Sequence, residues 1–128
     1  MSVRSIRVTA ATTLAAAAAT ALVATASPAS AFAVQSRTLQ PGESVCASQY
    51  ASYQVRGDGS ATAAGARFKI LRDAAVVTAT PGRVNYWSQE LRSAHGTFPG
   101  PGWYSACAYN TGTTATKVTV TIKSDGEL

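Results

Sequence analysis

Carboxylates, imidazole and paired thiols are all scarce in this chain. Its 128 residues include six Asp and Glu, one His, one Met and two Cys. The acids Glu43, Asp58, Asp73, Glu90, Asp125 and Glu127 are dispersed. That spacing gives no calcium loop, which needs several oxygen ligands close together. It also gives no obvious carboxylate pair for glycoside hydrolysis, although Asp73 with Glu90 stays open as a combination. The single imidazole, His95, limits acid–base chemistry to one position. Serines are plentiful, so a Ser–His–Asp set is not excluded by counting, but no Gly-x-Ser-x-Gly elbow is present. Cys46 and Cys107 form no Cys-x-x-Cys, which argues against dithiol redox chemistry and zinc. No catalytic residue, cofactor or metal is expected. Eleven basic residues give a net charge of +5, yet they are spread along the chain. A nucleic-acid binder concentrates positive charge on one face, so no nucleic-acid partner is expected.

The first 31 residues read as a secretory signal peptide. Arg4 and Arg7 are followed by an uncharged run from Val8 to Ala26 and by Ser27-Pro28-Ala29-Ser30-Ala31. Small residues at 29 and 31 suit signal peptidase, and Ala31-Phe32-Ala33 offers a second site. The run is dominated by Ala and Thr, which insert poorly into lipid, so a retained membrane anchor is disfavoured. The expected organisation is therefore a helical leader over residues 1–31 and one secreted domain over 32–128. Without Arg4 and Arg7 the eleven basic residues fall to nine, against six acids, for a net charge of about +3. Both cysteines lie in the secreted part. In an oxidising compartment that predicts a Cys46–Cys107 disulfide closing a loop of about 60 residues, worth roughly 4 kcal/mol.

Period-two alternation dominates the secreted part. Ala66, Phe68 and Ile70 alternate with Arg67 and Lys69, and Val118, Val120 and Ile122 alternate with Lys and Thr. Val45 to Val55 reads as a strand broken near Gln49. Residues 75–80, 83–91 and 103–109 are further strands, rich in Val, Thr, Tyr and Trp. Turn signals fall at Pro41-Gly42, Gly57-Asp58-Gly59, Pro81-Gly82, Pro99 to Gly102 and Asn110 to Gly112. The last predicts a hairpin over 103–123, and the tail from Ser124 is expected to fray. No segment of the secreted part has helical periodicity. The expected fold is all-β: a single antiparallel β-sandwich, jelly-roll or immunoglobulin-like, with one disulfide.

Pro41-Gly42, the stretch Phe98-Pro99-Gly100-Pro101-Gly102-Trp103-Tyr104 and Cys107-Ala108-Tyr109-Asn110 carry a resemblance. They resemble the C-terminal half of the bacterial pre-peptidase C-terminal type of jelly-roll domain. The layout is also similar to that of small secreted actinobacterial proteins of the streptomycete type. The resemblance covers a small part of the chain. It implies a jelly-roll-like sandwich with an accessory role and carries over no catalytic residue; the acidic calcium ligands of some such domains have no counterpart here.

Arg56-Gly57-Asp58 reads as part of a strand connection rather than as a recognition tripeptide. Tyr50, Tyr53, Tyr86, Trp87, Trp103, Tyr104 and Tyr109 remain. Tyr86 and Trp87 are adjacent in a strand and must face opposite sides. Trp103 shares a face with Cys107, so it either packs on the disulfide or joins a surface patch. The aromatic ligand-binding candidates are Trp87, Trp103 and Tyr86, with core packing as the competing account. The expected function is that of a monomeric, secreted, non-catalytic module binding an extracellular polymer, carbohydrate or protein. Alternatives are an inhibitor of a secreted hydrolase, using the loop 94–102, and, last, a small hydrolase.

Overall fold

A computed structural model describes residues 31–128. The expected leader lies outside the described residues except for Ala31. Eight strands follow one another: β1 (Phe32–Leu39), β2 (Ser44–Ala51), β3 (Gln54–Ala61), β4 (Arg67–Arg72), β5 (Ala75–Ala79), β6 (Tyr86–Arg92), β7 (Gly102–Tyr109) and β8 (Thr116–Ser124). They form two antiparallel sheets, with orders β1-β8-β3-β6 (sheet A) and β2-β7-β4-β5 (sheet B). Two facing four-stranded sheets with this wiring are a jelly roll, which settles the choice left open between jelly-roll and immunoglobulin-like sandwiches.

The alternation read from the sequence decides which side of each strand is wet. Val118, Val120 and Ile122 of β8, Phe68 and Ile70 of β4, and Tyr104, Ala106 and Ala108 of β7 are buried between the sheets. Their neighbours Lys117, Thr119, Thr121 and Lys123 face outward on β8. Cys46 and Cys107 lie directly opposite each other on β2 and β7 and are bonded, on the outer side of sheet B.

Four local expectations are corrected. First, the strand around Val45 breaks at Ser52–Tyr53 rather than near Gln49. Asp125 explains the position of this break. Its Oδ1 accepts hydrogen bonds from the Ser52 and Tyr53 amides, each at 2.9 Å. Second, the same contacts fix the tail that was expected to fray, and Ser124 is buried. Third, Gly57-Asp58-Gly59 is no turn. It lies within β3, where the glycines leave room for Trp87 of the neighbouring strand β6 and for Phe68 from across the sandwich. A Cβ on Gly57 would sit 2.6 Å from Trp87 Cη2, and one on Gly59 would sit 2.6 Å from Phe68 Cδ1. The Phe68 and Trp87 rings stack beneath these two positions at 5.3 Å. Arg56-Gly57-Asp58 is accordingly an extended strand segment.

Fourth, β7 and β8 do not form a hairpin. β7 pairs with β2 and β4 in sheet B, and β8 with β1 and β3 in sheet A. The 110–115 connection is a corner between sheets, held by buried Asn110. Its Nδ2 donates to Leu39 O at 2.9 Å and to Thr114 O at 2.8 Å, and its Oδ1 accepts from Gly112 N at 2.9 Å. Asn110→Ala removes three hydrogen bonds at this corner, one of them to the carbonyl of fully buried Leu39, so urea unfolding should show a loss of about 2 kcal/mol.

Candidate functional site

The outer face of sheet B is built as a ladder of cross-strand pairs. From one end these are Tyr50 with Trp103, Ser48 with Ser105, Cys46 with Cys107, and Ser44 with Tyr109. Tyr50 and Trp103 meet edge to face, with centroids 5.8 Å apart. Trp103 is 57% exposed and Tyr50 44%. The serine hydroxyls bond each other at 2.7 Å. Lys69 Nζ lies 4.5 Å from the centre of the Tyr109 ring, a cation–π contact. Burial pushes the Tyr109 phenol above its ordinary range, so it stays neutral beneath the ammonium. The strands of this sheet carry Arg67, Lys69 and Arg72 and no acid.

The three aromatic candidates do not converge. Trp103 is on the outer face of sheet B, against Tyr50 rather than against the disulfide. Trp87 is half-buried, packed between the sheets on Phe68. Tyr86 is 82% exposed on the outer face of sheet A. Tyr50 belongs to the aromatic set read from the sequence, but its pairing with Trp103 depends on the β2–β7 register, which turn signals alone do not provide.

Outside sheet A the charges are largely neutralised in pairs. Arg56 Nε lies 3.0 Å from Asp58 Oδ1, and Arg92 Nε lies 3.0 Å from Glu90 Oε1. The hydrogen bond from Arg92 holds the Glu90 carboxyl below the usual range, helped by the charges of Arg92, Arg56 and His95. These groups are partly exposed at the surface, and such pairs contribute little to stability.

The positions weighed for catalysis are scattered. His95 is exposed in a single 3-10 turn, Ser93–His95. Asp73 sits in the β4–β5 turn of sheet B, whereas Glu90 is on the outer face of sheet A. Among the described residues no group of three His, Cys, Asp or Glu side chains is placed to hold a metal.

The 93–101 connection lies against the body of the domain. Thr97 exchanges hydrogen bonds with Arg92, its Oγ1 accepting from Arg92 N at 2.8 Å. Phe98 stacks on Tyr104 at 5.4 Å. The Tyr104 hydroxyl donates to Gly100 O at 2.6 Å, and Arg72 Nη2 donates to Pro101 O at 2.8 Å. Burial raises the Tyr104 pKa, which keeps that donor protonated.

Comparison with solved structures confirms the sandwich. PliG of Aeromonas hydrophila, described as a periplasmic lysozyme inhibitor of g-type lysozyme, matches with a TM-score of 0.51 and 11% identity. The match covers 77% of this chain and 91% of that one. A mutant of PliG from Escherichia coli matches at 0.44 with 16% identity, over 76% of this chain and 90% of that one. A family two carbohydrate esterase from Cellvibrio japonicus matches at 0.41 with 12% identity, over 74% of this chain and 31% of that one. At 11% identity the likeness to the Aeromonas protein is one of fold alone. No protein-family model and no curated protein matches the sequence.

Proposed function

We propose that the chain is a secreted, non-catalytic binding module that grips an extracellular protein through the outer face of sheet B. The observation that carries this reading is Trp103, an exposed tryptophan held edge-on by Tyr50 on a disulfide-bonded strand pair. Exposed large aromatics fixed in one orientation bind with little loss of side-chain entropy. Trp, Tyr and Arg also dominate the energetics of protein interfaces. With Arg67 and Lys69 on the same sheet and no acid in its strands, the face suits a partner of acidic surface. The disulfide agrees with an oxidising compartment, as the expected leader does.

A second reading is inhibition of a secreted hydrolase. The pinned 93–101 connection favours it, because a rigid loop binds without an ordering cost. The jelly roll shared with a protein described as an inhibitor of g-type lysozyme lends it support.

Immobilised wild-type protein and a Trp103→Ala variant, matched by circular dichroism, should be offered the proteins of a culture supernatant. The expected result is a partner captured by the wild type and held about 30-fold more weakly by the variant, the size of a strong interface residue. Equal capture by both would overturn the sheet B reading. Inhibition of a secreted hydrolase that survives Trp103→Ala but not changes in 94–100 would select the second reading.

A further inference from the structure

The outer face of sheet A contains a depression of about 160 Å³, lined by Asp58, Gly59, Ser60, Thr119 and Thr121. The strand register explains it. One row across the sheet runs Val34, Thr121, Asp58, Ser88, and the next runs Ser36, Thr119, Ser60, Tyr86. Where they cross β8 and β3, both rows carry short polar side chains, Thr121 and Asp58 in one and Thr119 and Ser60 in the other. The adjoining row is Phe32, Lys123, Arg56, Glu90, which is long throughout and forms a wall. Lys117 stands on the other side, two residues before Thr119. The depression therefore lies over β8 and β3, and Ser88 and Tyr86 of β6 continue its two rows on one side. Tyr86 stands at its β6 end.

From this we infer a second binding site, for an acidic oligosaccharide, on the sheet opposite the Trp103 face. Three features select that occupant. The hydroxyls of Ser60, Ser88 and Thr121 have no protein partner among the described residues, and hydroxyls both donate and accept, as sugar hydroxyls require. The exposed Tyr86 ring offers a flat apolar platform at the end of this polar floor. Asp58 and Glu90 are already paired with arginines, whereas Lys117 and Lys123 are in no ion pair among the described residues. The face is thus left with two unneutralised ammonium groups flanking the depression, which complement carboxylates on the sugar chain. A peptide is a poorer match. It would add at a sheet edge through backbone hydrogen bonds, whereas this depression lies over strands whose backbones are already paired.

The test is an amide chemical-shift titration of isotopically labelled protein with hexagalacturonate, neutral chitohexaose and a hexaglutamate peptide. Hexagalacturonate should move the amides of 58–60, 86–88 and 119–121. Raising the ionic strength from about 0.01 M to about 0.15 M shortens the screening length from about 30 Å to about 8 Å and should weaken binding. Tyr86→Ala should cost about fivefold to tenfold in affinity. Lys117→Gln with Lys123→Gln should cost about tenfold or more. All three positions are surface sites, so the variants should keep the fold, and capture of a protein through Trp103 should be unchanged in them. The proposal is overturned if hexagalacturonate produces no shifts, if its shifts fall on β2 and β7, or if either control probe binds equally well.

Discussion

Replacing Cys46 and Cys107 by alanine should cost about 4 kcal/mol, measured by urea unfolding against the oxidised wild type. The bond joins residues 61 apart in sequence. In the chain-entropy model a loop of that length restricts the unfolded ensemble by roughly this amount. Domains of this size hold about 5–15 kcal/mol in total, so the bond is a large part of the margin. Topology adds to the effect. β2 is an edge strand whose sole partner in sheet B is β7. That one pairing carries Tyr50 against Trp103, so loosening it also frees the proposed binding face. A variant that keeps the wild-type denaturation midpoint would refute the entropic account. Ser48→Ala on the same face, which removes only an exposed hydroxyl contact, should stay within about 0.5 kcal/mol.

Gly59→Ala should also be damaging, at about 2 kcal/mol. In a strand interior this change ordinarily stabilises by about 0.4–1 kcal/mol through the unfolded state. Overpacking outweighs that gain here. The added methyl would overlap the Phe68 ring, which is completely buried and stacked on Trp87. The ring has no free volume to enter, and forcing methyl groups into a packed core costs about 1–3 kcal/mol. Gly57→Ala should cost less, because the ring it meets first is that of Trp87, which is only half-buried, rather than completely buried Phe68. Gly82→Ala is the control, since no heavy atom lies within 4 Å of its added Cβ. Thermal unfolding should rank the three in that order, and a Gly59→Ala midpoint equal to that of Gly82→Ala would contradict the packing argument.

How much of this could be read from the sequence depended on whether a strand contrasts its two faces. β4, β7 and β8 alternate cleanly and were legible. β1 was not, because Gln35 and Arg37 occupy its inward-facing register at the exposed margin of sheet A, which erases the alternation. β3 was partly hidden for the opposite reason: its inward positions include glycines, which signal a turn locally but accommodate the bulky rings of Trp87 and Phe68. The Asn110 corner looked like a hairpin turn because the same residue types serve both; only the destination of β8 differs. The candidate sites suffered most. Tyr50–Trp103 and the two short-chain rows of sheet A each bring together residues from strands far apart in sequence, so they exist only once the register is known.

The position of β8 has a consequence for how the domain comes into being. It is the last strand in the chain, yet it lies between β1 and β3 in sheet A. Until β8 has been synthesised, sheet A holds only the β3–β6 pairing, and β1 has no partner in it. β1 waits unpaired, and β8 then joins it to the β3–β6 pair in one late step. Pairings this distant in sequence form slowly. Sheet A thus stays in two unjoined pieces until β8 bridges them, so its assembly hinges on a single strand.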